Sequence, residues 1–95
     1  MYVTLRKYQT KTDFAAVHAA VEAGLLPILR GCPGFRSHWL LNCDDGDVAA
    51  VTVFDTEEQA REGVLKAVGW VQAHIHDLLV LPPNAMFGAS AEQFT

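Results

Sequence analysis

The segment that most constrains the fold is Val48 to Asp55, because Thr52 is the only polar residue between Val48 and Phe54. An apolar run of this kind is typical of a strand that is buried on both faces. A second apolar segment, Phe35 to Cys43, precedes it, and the residues between the two segments are Asp-Asp-Gly-Asp. The Asp-Gly pair favours a type I′ turn. We therefore predict a β-hairpin whose second strand needs cover on both sides.

Placing Asp45-Gly46 at the centre of the turn fixes the predicted register of this hairpin. Arg36 then faces Asp55 in a predicted cross-strand ion pair, and Leu40 faces Val51. In this register one face carries hydroxyl, aromatic and apolar side chains, including Ser37, Trp39, Thr52 and Phe54. The other face carries the remaining polar side chains of the first strand, namely Arg36, His38 and Asn42, together with Leu40.

A first strand and a first helix are predicted before the hairpin. Tyr2 to Tyr8 alternates as a strand, and Thr10 to Asp13 has the spacing of a helix-capping box. An apolar stripe with helical spacing follows, made of Phe14, Val17, Val21, Leu25 and Ile28. Pro27 lies inside this stripe, so we expect a kink or a tightened turn near Leu26.

A second helix and a last strand are predicted after the hairpin. The helix begins with Asp55 as its cap and ends before Pro82-Pro83. Its buried stripe consists of residues at helical spacing: Ala60, Val64, Ala67, Val71, Ile75 and Leu78. Asn84 to Ala91 is predicted as the last strand. The order β-α-β-β-α-β indicates one ferredoxin-like α+β domain over residues 1–95, a four-stranded antiparallel sheet with two helices on one face.

The second face of this sheet indicates a partner. Two helices on one face leave the other face without cover, and a second copy of the same sheet is the simplest cover for it. Of the 95 residues, 51% are hydrophobic and only 19% are charged, which also favours burial against another chain. We therefore expect a homodimer with a cavity between the two sheets that binds a small apolar or aromatic ligand.

Charge and hydropathy exclude several other classes of protein. The formal net charge is −4, so the chain lacks the basic excess of a nucleic-acid-binding domain. The longest uncharged apolar run, Leu78 to Pro83, is far shorter than a membrane span, and no signal peptide is recognised. Cys32 and Cys43 are expected to be free thiols. We expect a cytoplasmic protein with no membrane and no nucleic acid among its partners.

Three segments resemble the antibiotic biosynthesis monooxygenase-like family, whose members are dimeric α/β-barrels. These segments are Pro33-Gly34-Phe35-Arg36, the stretch from Val51 to Ala60, and Gly69-Trp70-Val71-Gln72-Ala73-His74. The resemblance implies a homodimeric barrel and a monooxygenase that works without a cofactor on an aromatic phenol or quinol. In such a reaction the substrate itself supplies electrons to dioxygen, while the protein orients the substrate and stabilises its anion.

Two groups of side chains are the predicted site residues. Trp70 and His74 are four residues apart and share one helix edge, and we predict them as the catalytic pair, with His74 as base or hydrogen-bond partner. The predicted lining of the ligand cavity is Trp39, Thr52, His38 and Phe54. Each position also has a structural interpretation: Trp70 and His74 as packing residues, His38 as a solvated edge residue, and the aromatic side chains as core. His74 and His76 point about 200° apart on a helix, so no metal site is predicted.

Two other functions stay open at this stage. The first is a non-catalytic binding or regulatory dimer, since no catalytic triad is recognised in the sequence. The second is haem binding or degradation, to which the resemblance also extends. That branch uses a Trp, a His on the second helix and an Asn near the first strand, and the segment Tyr2 to Tyr8 contains no Asn.

Overall fold

The computed structural model describes residues 1–90 and contains four strands and three helices. The elements are β1 (Tyr2–Tyr8), α1 (Phe14–Ala20), a π-helical segment (Val21–Leu25), α2 (Leu26–Arg30), β2 (Phe35–Asn42), β3 (Val48–Phe54), α3 (Glu57–His74) and β4 (Asn84–Ala89). All strand pairs are antiparallel, in the order β2-β3-β1-β4. This order confirms the predicted ferredoxin-like fold. The predicted end of the last strand, Ala91, lies outside the described residues.

The hairpin forms where predicted, but its register is shifted by one residue. Leu40 pairs with Ala50 and not with the predicted Val51. The cause is the turn: the amide of Gly46 donates to the carbonyl oxygen of Cys43 at 3.0 Å, and Gly46 has φ +88°. No residue other than glycine has positive φ in residues 1–90, so a type I′ turn is excluded there. A three-residue loop with a left-handed glycine forms instead.

The register shift changes which side chains share a face. His38 pairs with Thr52, whereas Trp39 pairs with Val51. The prediction that Trp39 and Thr52 lie on one face is therefore wrong, because a one-residue slip exchanges the two faces of a strand. The predicted ion pair is present: Arg36 Nε contacts a carboxylate oxygen of Asp55, next to an irregularity between Phe35 and Ser37.

The first helical layer, which consists of α1, the π-helical segment and α2 (residues 14–30), begins later than predicted and contains the expected irregularity. Asp13, not Thr10, is the cap of α1, and its carboxylate accepts from the amide of Ala16 at 3.0 Å. Pro27 lies in the first turn of α2, directly after the π-helical segment. Proline lacks the N–H that an α-helical turn needs and its ring collides with the preceding turn. The wider π turn upstream relieves both conflicts, which is the predicted local distortion near Leu26.

The second helix is shorter than predicted. Thr56 caps α3 by accepting from the amide of Gln59 at 3.2 Å, so the predicted cap Asp55 remains available for Arg36. The helix ends at His74, before Leu78 of the predicted stripe and well before Pro82-Pro83, where its end was predicted. Ile75 is nevertheless buried, as predicted for the apolar stripe.

The helices pack on one face of the sheet, which we call the inner face. It carries alternate residues of the strands, including Thr4, Arg6, Tyr8, His38, Thr52 and Phe54. The opposite face, which we call the open face, has no helix of residues 1–90 on it and carries Val3, Leu5, Trp39, Val51 and Met86. β3 is buried at six of its seven positions, which confirms the prediction from its apolar sequence.

Candidate functional site

The site begins as a pocket between the first helical layer and β2. It has a volume of about 400 Å³ and is lined by His18, Val21, Glu22, Leu26, Arg30, His38 and Leu40. A smaller cavity of about 20 Å³ lies deeper, between the helices and the inner face. Val21, His38 and Leu40 line both spaces, and Arg6 and Tyr8 line the deeper one. His38 therefore lies at the boundary between an open pocket and the protein interior.

Arg6 is the most unusual residue of the deeper cavity. The alternation of β1 turns Arg6 towards the helices, and the whole residue is only 1% exposed. One guanidinium nitrogen, Nη2, donates to Thr52 Oγ1 at 3.5 Å, and Nε is buried without a partner. No carboxylate within residues 1–90 forms a salt bridge with it. Burial lowers the pKa of Arg6, because the charged form loses its hydration.

Thr52 connects Arg6 to His38. The imidazole Nδ1 of His38 is 2.9 Å from Thr52 Oγ1, while Nε2 is buried without a partner. Burial, and to a lesser extent the positive charge of Arg6, lowers the pKa of His38 from 6.5 to about 4. His38 is therefore neutral at neutral pH. The hydroxyl of Thr4 donates to the carbonyl oxygen of Thr52 at 3.2 Å and ties β1 to β3 beside the site.

Tyr8 contributes a third unpartnered group. Its hydroxyl is buried, and burial raises the pKa of Tyr8, an effect that the nearby Arg6 partly opposes. Arg6 Nε, Tyr8 Oη and His38 Nε2 thus all lack partners within residues 1–90, and all three residues line the deeper cavity. Buried polar groups are normally hydrogen-bonded. A cluster of three exceptions is the strongest indication of a binding site in the described chain.

The predicted catalytic pair lies elsewhere. Trp70 and His74 stack with ring centroids 5.2 Å apart, and His74 Nδ1 is 3.1 Å from the carbonyl oxygen of Trp70. The Trp70 indole packs so closely on Gly24 that a Cβ there would overlap it. His74 is exposed, and neither residue lines the pocket beside His38.

The predicted lining residues are only partly brought together. His38 and Thr52 are in contact and Phe54 shares their face, but Trp39 lies on the open face. Phe54 is fully buried and packs edge-to-face on Phe35, with ring centroids 6.0 Å apart.

Sequence reasoning missed Arg6 and Tyr8. The alternation of the first strand grouped them on one face, but β1 offers apolar residues on both faces, so nothing local indicates which face the helices cover. The feature of the sequence that could have indicated Arg6 was Thr52, the single polar residue of β3. A buried hydroxyl needs a partner, and Arg6 on the neighbouring strand donates to it.

Comparison with solved structures identifies the fold class. A monooxygenase from the gene ActVA-Orf6 of Streptomyces coelicolor, in complex with nanaomycin D, matches with a TM-score of 0.74 at 22% identity, covering 99% of this chain and 90% of that one. SnoaB, a cofactor-independent oxygenase from Streptomyces nogalater, matches with a TM-score of 0.74 at 16% identity, covering 97% and 94%. The chain therefore has the fold of the antibiotic biosynthesis monooxygenases, as the resemblance in its sequence predicted.

A protein that binds a metalloporphyrin has a similar fold. A variant of MhuD with two manganese protoporphyrin IX molecules per active site matches with a TM-score of 0.74 at 13% identity, covering 100% of this chain and 99% of that one. No protein-family model matches the chain, and no curated protein matches it in sequence. Within residues 1–90 no helix is long and apolar enough to cross a bilayer. In the same residues no group of three His, Cys, Asp or Glu side chains is placed to hold a metal ion.

Proposed function

We propose that the protein is a homodimeric monooxygenase that binds an aromatic phenol or quinol in the pocket beside His38 and oxidises it with dioxygen, without a cofactor. The observation that carries this proposal is the pocket of about 400 Å³ that meets a cluster of buried polar atoms without partners. Ligand sites typically combine an apolar concave surface with a few convergent polar groups. The shared fold with two oxygenases supports the same interpretation.

The chemistry needs orientation and charge stabilisation more than it needs a reactive side chain. For a hydroxylated anthrone, the ionised substrate donates electrons to dioxygen, and its CH₂ group becomes a carbonyl. One oxygen atom of O₂ enters the product and the other leaves as water, so the substrate supplies all four electrons. Preorganised donors that stabilise the substrate anion account for the acceleration. His38, neutral and held by Thr52, is one such group.

Oxygen consumption tests this proposal. Purified protein is supplied with a panel of hydroxylated anthrones and quinols, and turnover is followed with an oxygen electrode and by product absorbance. His38→Leu is expected to reduce turnover by about 10²-fold, because one donor to the developing anion is lost. Lys66→Gln, an exposed change on α3, is the matched control and leaves turnover unchanged. If none of the substrates in the panel causes oxygen consumption, the proposal that the protein is a monooxygenase is contradicted.

His74→Ala separates the two proposed sites. The roles of His74 as base and of Trp70 beside it stay a prediction, supported by their stacking and shared helix edge. If His74→Ala removes turnover while ligand binding persists, the chemistry belongs to the Trp70–His74 pair. Unchanged turnover in His74→Ala assigns the chemistry to the pocket beside His38.

The homodimer is part of the same proposal. The open face exposes three large apolar residues, with Trp39 52% exposed, Leu41 43% and Met86 66%. A contiguous apolar face of this kind favours a partner, and a second copy of the same sheet is complementary to it by symmetry. A cytoplasmic location also belongs to the proposal, supported by the free thiols of Cys32 and Cys43.

Two alternative functions, a non-catalytic binding dimer and a haem-binding protein, can each be tested by one measurement. Ligand retained in native mass spectrometry without any turnover indicates a binding or regulatory dimer. Haem binding, which the fold shared with MhuD favours, is tested by titration with haemin; a Soret shift supports it and an unchanged Soret band excludes it.

A further inference from the structure

The strongest unexplained feature of residues 1–90 is a buried cation to which none of these residues supplies a counter-charge. Arg6 is 1% exposed, and within residues 1–90 its polar contacts are to neutral hydroxyls: a long hydrogen bond of 3.5 Å to Thr52 and the nearby hydroxyl of Tyr8. A buried charge without a partner is costly, and replacing it with an apolar residue is often stabilising. Its presence in the deeper cavity therefore needs a reason other than stability.

The hydrogen-bonding groups of this cavity indicate which chemical group it would bind. Thr52 Oγ1 accepts from Arg6, so its own hydrogen is available for Nδ1 of the neutral His38. In the tautomer that uses this hydrogen, Nε2 of His38 carries the ring proton. Arg6 Nε, His38 Nε2 and the hydroxyl of Tyr8 are then three buried donors for which residues 1–90 supply no acceptor within hydrogen-bond geometry. An anionic oxygen satisfies such a group of donors best.

The size of the two spaces gives the orientation of the ligand. The deeper cavity of about 20 Å³ is just large enough for one water-sized group, so one oxygen atom fits it and an aromatic ring does not. The outer pocket of about 400 Å³ has the volume of a small-molecule site. A ligand with one ionised oxygen would therefore direct that oxygen inward and keep its rings between the first helical layer and β2.

We propose that Arg6, together with His38 and Tyr8, binds the ionised oxygen of the aromatic ligand, so that the pocket selects phenolates over neutral aromatic compounds. This inference rests on the proposed function, because it uses the same pocket. It adds the residues that bind the ionised oxygen, the selection against neutral aromatic compounds and the orientation of the substrate. Arg6 acts as the anion-binding residue on β1, and Thr52 holds Arg6 and His38 in place.

A matched pair of ligands tests the inference directly. In a buffer of about pH 8, 4-nitro-1-naphthol is present as its phenolate, which absorbs visible light. Its methyl ether has the same rings and no charge. Dissociation constants for both are measured by titration of the full chain, using absorbance and tryptophan fluorescence. Wild-type protein is expected to bind the phenolate about 10- to 100-fold more tightly than the ether, the range of charge-assisted hydrogen bonds.

The variant Arg6→Met, measured with the same two ligands, is the second part of the test. The variant is expected to lose the preference for the phenolate, to retain the ether, and to have a higher melting temperature than wild type without ligand. A purely structural arginine would behave in the opposite way, since its removal would lower the melting temperature. Arg36→Met is the matched control, because Arg36 is an exposed arginine of the same sheet. It keeps the preference for the phenolate.

The outcomes separate this inference from the proposed function. Equal binding of phenolate and ether by wild-type protein overturns the anion site and leaves an aromatic pocket. Binding of neither ligand overturns both. Loss of both ligands in Arg6→Met, with a lowered melting temperature, makes Arg6 a structural residue and also overturns the inference. The wild-type comparison decides the matter even if Arg6→Met does not fold.

Discussion

The two faces of the sheet are built in opposite ways. The inner face, covered by helices, buries polar side chains next to the apolar core residues Val48 and Phe54: Arg6, Thr52 and Thr4 are almost completely inaccessible, with His38 beside them. The open face, which no helix of residues 1–90 covers, exposes apolar side chains such as Trp39 and Met86. In an ordinary two-layer domain the polar residues would lie outside and the apolar residues inside.

Each inversion indicates an interaction beyond one isolated chain. An exposed apolar face costs hydration free energy until a second surface covers it, which favours association. A buried, partly unsatisfied polar cluster costs stability until a ligand satisfies it. One face of the same four strands is thus suited to a second protein chain and the other to a small molecule.

Breaking the open face is expected to have the largest effect. The double variant Trp39→Glu with Leu41→Glu places two carboxylates in the proposed dimer contact, where burial of a charge is strongly unfavourable. Sedimentation analysis at about 10 µM is expected to show a dimer for wild type and a monomer for the variant, with dimer affinity weakened more than about 10³-fold.

Leu65→Glu is the control for this experiment. Leu65 is 73% exposed on α3, away from the open face, so the dimer is expected to persist in that variant. A wild-type protein that sediments as a monomer at the same concentration contradicts the proposed dimer.

The packing of α3 on the inner face gives a smaller, well-defined effect on stability. Gly63 faces the Phe54 ring so closely that an added Cβ would overlap it, whereas a Cβ at Gly69 of the same helix meets nothing within 4 Å. Gly63→Ala is expected to lower the free energy of unfolding by about 1–3 kcal/mol through overpacking. Gly69→Ala is expected to raise it by up to about 1 kcal/mol, because alanine favours a helix.

Urea unfolding of the two alanine variants checks this contrast. Both substitutions add the same methyl group to the same helix, so helix propensity alone predicts a gain at both positions. A gain at Gly63 would show that α3 does not approach Phe54 as described.

The pH dependence of stability below neutral pH reports on His38. The pKa of His38 is lowered from 6.5 to about 4 by folding, so between these values the unfolded chain binds a proton that the folded chain does not. The free energy of unfolding is therefore expected to decrease as pH falls from about 6.5 to about 4. At neutral pH this penalty is absent.

His38→Gln removes this contribution while keeping a polar side chain beside Thr52. Chemical denaturation at several pH values is expected to give a flatter profile for His38→Gln than for wild type. Identical slopes in wild type and His38→Gln would mean that His38 is not buried beside Arg6.

The order of elements was predictable from sequence, and the faces of the strands were not. Apolar spacing and turn residues are local signals, and they indicated the hairpin, both helices and the ferredoxin-like order. The register of the hairpin depends on whether one or two turn residues adopt positive φ, and Asp45-Gly46 is compatible with either. The wrong choice moved Trp39 to the face of Thr52.

The site was harder to predict because it depends on contacts between strands distant in sequence. Thr52 and His38 were predicted as ligand-lining residues and do lie together, whereas Arg6 is 46 residues from Thr52. An arginine in an alternating strand usually faces solvent, and only the pairing of β1 with β3 turns this one inward. Trp70 and His74 stack as their spacing predicts, but they lie outside the pocket beside His38.

The binding site on the inner face can be tested most directly by NMR of side-chain nitrogen atoms. 4-Nitro-1-naphtholate is added to ¹⁵N-labelled protein while the Arg6 Nε, His38 Nε2 and tryptophan indole resonances are followed. The resonances of Arg6 and His38 are expected to shift as the phenolate binds, and that of the Trp39 indole on the open face is expected to stay in place. Shifts confined to Trp39, or to Trp70 and His74, with Arg6 and His38 unchanged, would contradict a ligand site on the inner face.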